Sequence, residues 1–283
     1  MRGKISAFAL TLALGAASAA ANPAAFTTLD RTAPGSHISG DVAFSFQNLP
    51  VNNFGQQGID LTSVRLDVRA NWVSRRGNLG LFLHLPVSAM FVNDRFTNLD
   101  NEFTLANIEA AGVYILRNRD FDLVFRGGFV LPTAGDSQGA QIANLAASYM
   151  RLTDLALAAP STTWFRASAS ILGGNRRGIF WRADAGVDLA VSTPNNLDID
   201  PLLRLNAGVG YRLRKFAVMG ELVNMINANL GNLDDDMAHT LAITARSYHF
   251  GVVPSFGIVF PLDSTLRNRG FDFGFTAGIR GRL

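Results

Sequence analysis

Apolar and polar side chains alternate with a period of two along most of this chain, a repeat that extended strands satisfy and helices do not. Residues 63–72 place Val64, Leu66, Val68, Ala70 and Trp72 on one face and Ser63, Arg65, Asp67, Arg69 and Asn71 on the other. Residues 179–191 set Trp181, Ala183, Ala185, Val187 and Leu189 against Arg182, Asp184, Gly186 and Asp188. The pattern predicts twelve strands, at 36–46, 61–73, 79–92, 105–116, 121–132, 161–172, 179–191, 202–211, 216–225, 238–245, 250–260 and 271–283. Most run to about 10–13 residues, the length a tilted strand needs to cross a bilayer. The expected fold is all-β, a transmembrane antiparallel up-and-down β-barrel of about 12 strands with a helix in its third external loop.

The connections fall into two classes. Short ones, at 74–78, 117–120, 173–178, 212–215 and 246–249, alternate with long ones at 47–60, 93–104, 133–160, 192–201, 226–237 and 261–270. Short turns on one side and long loops on the other are the outer-membrane arrangement. A turn at 246–249 keeps the strand count even and brings both ends of the barrel to one side. The short turns collect Arg75, Arg76, Arg117, Arg119, Arg176, Arg177, Arg212, Arg214, Lys215 and Arg246, whereas the loops hold Asp94, Asp100, Glu102, Asp198, Asp200 and Asp234 to Asp236.

Residues 1–21 read as a secretory signal: Arg2 and Lys4, an apolar run at 8–15, then Ala17, Ala19 and Ala21. That run is too short for a membrane helix. The expected organisation is a signal peptide at 1–21, a periplasmic segment at 22–35 and the barrel at 36–283. Without Arg2 and Lys4 the formal charge of +3 falls to +1, which gives no basis for binding nucleic acid or other polyanions. The absence of Cys excludes disulfides, thiol nucleophiles and thiolate metal sites.

Aromatics on the apolar face gather near strand ends. Trp72, Tyr114, Phe121, Trp181, Tyr211, Phe216 and Phe250 lie toward the short turns, and Phe44, Phe46, Phe91, Phe129, Phe165, Phe260 and Phe271 toward the loops. Two such girdles are expected at the two membrane interfaces, so the apolar face is the outer one. The chain ends Thr276-Ala277-Gly278-Ile279-Arg280-Gly281-Arg282-Leu283. Thr276, Gly278 and Leu283 resemble the C-terminal signal of Gram-negative outer-membrane β-barrel proteins, while Gly281 stands where a bulky residue is usual. The resemblance implies export to the outer membrane, with its lipids and the barrel assembly machinery as partners.

The polar face then lines a lumen. Its charged members are Arg65, Asp67, Arg69, Glu109, Asp122, Arg126, Arg166, Arg182, Asp184, Asp188, Arg204, Glu221, Arg246, Asp272 and Arg280, together with Asp41. Arginines balanced by carboxylates predict interlocked ion pairs, either filling the barrel or lining a polar pathway. In 133–160 the period changes: Ile142, Leu145, Ala146, Tyr149, Leu152 and Ala156 recur at helical spacing, with Asp136 as a candidate cap. Ile142, Leu145, Tyr149 and Leu152 would form a constriction if the helix folds inward, or a roof over the mouth if it does not.

Asn22-Pro23-Ala24 is similar to the Asn-Pro-Ala motif of the long-chain fatty acid transporter family, which would imply uptake of a hydrophobic compound, although the long hatch segment is absent. His37-Ile38-Ser39 resembles the His-x-Ser of outer-membrane lipid hydrolases, without the Ser-Asn-Gly-Arg continuation. The histidines at 37, 84, 239 and 249 show no metal-ligand spacing, and no phosphate-binding glycine motif occurs. No catalytic residue, metal or cofactor is expected. The leading expectation is porin-like passage of small solutes through the outer membrane. Hydrophobic-compound transport and a closed structural or display barrel are the alternatives.

Overall fold

The computed structural model describes residues 36–49, 59–92, 100–174, 177–194, 199–228, 237–248, 252–268 and 270–282. The signal peptide, the 22–35 segment with its Asn-Pro-Ala, Phe250 and much of the long loops lie outside the described residues.

The chain forms a closed 12-stranded antiparallel barrel in which each strand pairs with its neighbours in sequence. The elements are β1 (His37–Leu49), β2 (Ile59–Val73), β3 (Leu79–Val92), β4 (Glu102–Leu105), β5 (Ile108–Arg117), β6 (Phe121–Leu131), β7 (Thr163–Gly174), β8 (Gly178–Ser192), β9 (Leu202–Arg212), β10 (Phe216–Asn227), β11 (Met237–Ser247), β12 (Val253–Pro261) and β13 (Phe271–Arg282). β4 and β5 are one wall strand in two pieces, since both pair with β3. β1 closes the barrel on β13, with His37 opposite Arg282, so both ends lie at the short-turn edge. The first short turn needs Gly77 at φ +77°, a backbone region that L side chains rarely adopt.

The barrel is inside-out relative to a soluble one. Leu81 and Val209 on the outer face are 63% and 60% exposed, while Asp67 and Glu109 inside are 0% exposed. Exposed apolar wall against fully buried charge identifies lipid as the solvent of the outer face. Trp72, Tyr114, Trp181, Tyr211 and Phe216 are exposed toward the short turns, and Phe44, Phe46, Phe91, Phe129 and Phe260 toward the loops. Val68 stands between the two girdles on the outer wall. Val68→Arg is therefore expected to destabilise the folded barrel by about 2–4 kcal/mol, read as a shift in urea unfolding from lipid vesicles.

Four sequence expectations need correction. The strand expected at 105–116 breaks at Ala106 and Asn107, whose backbones turn to the third loop. At the start of β13 the pairing slips, with Phe46 opposite Phe273 but Gln47 opposite Phe271. The slip exchanges two faces, burying Phe271 at 0% exposure and leaving Asp272 exposed instead of in the lumen. Arg212, expected in a turn, is an inward-facing strand residue, and Arg246, expected both at a turn and in the lumen, lies on its strand facing the lumen. The loop helix is capped by Ser137, whose hydroxyl accepts from the Ala140 amide at 3.1 Å, and not by Asp136.

Candidate functional site

The third loop folds into the barrel. It forms α1 (Gln138–Ser148), a 3-10 segment (Tyr149–Asp154) and α2 (Leu155–Ala158) before returning to the wall at β7. Its apolar side chains pack around the lumen. Tyr149, Met150 and Leu152 join Ala43, Val223, Met225, Val259 and Phe271 on one side, Ala143 and Ala146 meet Leu61 and Met90, and Ala156 and Leu157 meet Val130 and Trp164. Of the residues expected to make a constriction, Tyr149 and Leu152 are buried, Ile142 is half-buried and Leu145 is exposed. Asn107, at the break between β4 and β5, anchors the returning end of the plug. Its backbone N–H bonds the Leu157 carbonyl at 2.8 Å, its side-chain amide donates to the carbonyls of Ala156 and Ala159, and its side-chain oxygen accepts from the Ala134 amide at 2.8 Å.

Below the plug the wall supplies a belt of buried charge. Period-two registry turns Arg65, Asp67 and Arg69 of β2 inward beside Asp41 of β1 and His84 of β3. Arg65 donates to Asp67 at 3.0 Å and to Asp154 of the plug at 2.9 Å. Arg69 bonds Asp41 at 2.8 Å, and His84 Nε2 lies 2.5 Å from Asp67. Across the lumen Arg166 bridges Glu109 at 3.0 Å and Asp188 at 2.9 Å, and also bonds the Thr153 carbonyl of the plug. Arg204 joins Asp188 at 2.9 Å, and Arg126 joins Glu109 at 2.6 Å while lying over the Phe82 ring. Gly186 makes room for this packing, since a Cβ there would sit 2.7 Å from the Arg204 guanidinium.

The plug contributes the residue that completes the belt. At Arg151 the backbone leaves the helical path (φ −144°, ψ 71°), and the side chain enters between two wall carboxylates. Its guanidinium pairs with Asp41 and reaches Asp67 at 3.0 Å. All of these groups are nearly or fully buried, so the middle of the lumen is closed to water as folded. Arg151, Asp154, Asn107 and His84 are buried lumen residues beyond those expected from the sequence. Arg151 and Asp154 carry a readable signal, two charges inside an otherwise apolar helical stretch.

The remaining expected lumen residues are placed elsewhere. Arg182, Asp184, Glu221, Arg246 and Arg280 face inward nearer the short turns, with Asp184 held by Ser170 at 2.5 Å and Asn206 at 2.9 Å. Asp122 is half-buried at the β6 edge opposite Arg117. His37 and Ser39 are buried against the lumen, not turned to the lipid. Asp67, His84 and Asp154 bring ligand-type atoms within 4.8 Å of one another. Arg65 and Arg151 engage the same carboxylates, so their positive charge opposes a divalent cation there.

Outside, the lipid-facing wall carries a concavity of about 800 Å³. Gly112, Gly127, Ala167, Ala169 and Ala185 form its small-residue surface, and Tyr114, Phe125, Leu203 and Leu205 border it.

Because the Asn107 side chain serves three backbone groups at once, Asn107→Ala is expected to loosen the plug's return path by about 2–3 kcal/mol. Faster amide exchange at residues 155–159, with the barrel strands still protected, is the measurement that checks it.

No protein-family model matches the chain, and no curated protein matches it. Solved structures do. An outer membrane channel from Pseudomonas putida F1 superposes with a TM-score of 0.63 at 11% identity, covering 89% of this chain and 97% of that one. The KdgM porin (TM-score 0.48, 8% identity, 87% and 99% covered) and the translocator domain of autotransporter NalP from Neisseria meningitidis (0.46, 11%, 90% and 90%) are more distant. At such identities the likeness speaks for the fold alone. The fold is the closed β-barrel of outer-membrane proteins, here with its third loop turned inward.

Proposed function

We propose that this protein is an outer-membrane channel for small solutes, closed by its own third loop and opened when that loop withdraws. The observation that carries the reading is Arg151 inserted between Asp41 and Asp67. A plug held partly by ion pairs and hydrogen bonds leaves polar groups that water can solvate again, whereas a uniformly apolar plug would expose a surface that water penalises. The wall behind it is polar enough to line an aqueous path. In this reading the barrel sits among outer-membrane lipids and is inserted by the assembly machinery that reads the last strand.

Planar-bilayer recording of the refolded chain is expected to show long closed periods broken by ohmic openings. A variant lacking residues 138–157 should stay open. A folded, heat-modifiable deletion variant with no conductance would contradict the channel and favour a structural barrel.

The wall concavity favours a second reading, uptake of a hydrophobic compound from the lipid side, in line with the Asn-Pro-Ala similarity. It requires a lateral passage beside Gly112 and Gly127. Filling the concavity with Gly127→Leu should then abolish uptake of the hydrophobic compound without altering ion conductance.

A further inference from the structure

Three placements tip the ionic balance of the lumen. The slip in β13 carries Asp272 to the exposed face, Asp122 stays at the β6 edge opposite Arg117, and Arg212 turns inward at the end of β9. Among the described residues the middle of the wall then holds Arg65, Arg69, Arg126, Arg166 and Arg204 against Asp41, Asp67, Glu109 and Asp188. Nearer the short turns Arg182, Arg212, Arg246 and Arg280 face inward with two carboxylates, Asp184 and Glu221. Those arginines stand on β8, β9, β11 and β13. The sector of β3 and β5 to β7 at that end is the apolar cluster of Phe82, Val113, Ile115, Val124 and Leu172, which brings no charge. His37 and His84 can only add to the positive side.

The plug leaves this balance as it is. Residues 138–157 carry one charge of each sign, Arg151 and Asp154. The described wall therefore keeps three more arginines than carboxylates whether the third loop is in or out. Pairing inside the lumen cancels charges one for one and leaves the excess untouched. Fixed positive charge in a narrow passage with low-dielectric walls draws anions in and repels cations. The exposed Asp60, Asp100 and Asp136 on the loop side are screened by salt. We propose that the open lumen selects for anions, so that the solutes this barrel passes are small anions. This names the solute class of the channel and rests on the channel reading.

Reversal potentials of the refolded full-length chain under a potassium chloride gradient test it. Openings of the native chain should favour chloride over potassium by about threefold or more. The variant lacking residues 138–157 should show the same ratio, since it loses Arg151 and Asp154 together. Arg182→Gln combined with Arg280→Gln should remove most of the preference. Ser255→Glu, which sets a carboxylate opposite Arg246, should lower it without removing any arginine. Arg214→Gln in the exposed turn should leave it unchanged. Openings that favour potassium or neither ion, or an unchanged ratio in the folded double variant, would overturn anion selection and leave the channel standing. If the double variant fails to fold, an unchanged ratio in Ser255→Glu overturns it instead. A folded deletion variant that never conducts removes the channel, and anion selection with it.

Discussion

Replacing Arg151 with Gln is expected to convert a mostly closed barrel into a conducting one. Arg151 is the plug's cation in the wall belt, paired with both Asp41 and Asp67. Breaking a buried pair from one side costs about 3–5 kcal/mol, because the abandoned charges stay buried. In the closed state Arg151→Gln leaves Asp41 and Asp67 short of a cation, while in the open state water solvates them. The cost therefore falls mainly on the closed state. The open fraction should rise about a hundredfold or more, since each 1.4 kcal/mol is a factor of about ten. Arg214→Gln, exposed in a short turn, is the control and should behave as the native chain does. Single-channel open probability is the readout.

The second large effect is on stability. Asp67 receives Arg65, Arg69, Arg151 and His84, and so joins three cations that would otherwise repel one another in a dry lumen. Asp67→Asn keeps the shape and removes the charge. It is expected to cost about 3–5 kcal/mol, seen as a lower urea midpoint in vesicles and a lower temperature for the heat-modified gel shift. Because Asp67 and Arg151 share a bond, the double variant Asp67→Asn/Arg151→Gln should lose less than the sum of the two. Full additivity would mean that the plug and the wall do not share this contact.

The wall was legible in the sequence because period two is a property of the backbone: once the apolar face meets lipid, its parity assigns every inward residue. The same parity places His84 beside Phe82 and Arg212 beyond Gly208 and Gly210. Two features lay beyond parity. The slip at Phe271 and Asp272 is a bulge, set by the aromatic packing of Phe271 on Tyr149 from a distant segment. The break at Ala106 and Asn107 exists because Asn107 spends its hydrogen bonds on the plug. Neither partner can be read from local sequence. The inward direction of the third loop was likewise open from its helical spacing alone, and Arg151 and Asp154 decide it, because charges in an apolar helical stretch need buried partners.

The most direct test tethers the plug. The chain has no Cys, so Gln47→Cys with Ala146→Cys gives one defined pair where the Gln47 amide now donates to the Ala146 carbonyl at 2.7 Å. Joined by a short bis-methanethiosulfonate linker in the Arg151→Gln background, this pair should silence the channel, and dithiothreitol should restore its openings. Conductance that persists through the tethered state would contradict the gate, and with it the proposal that the third loop controls passage.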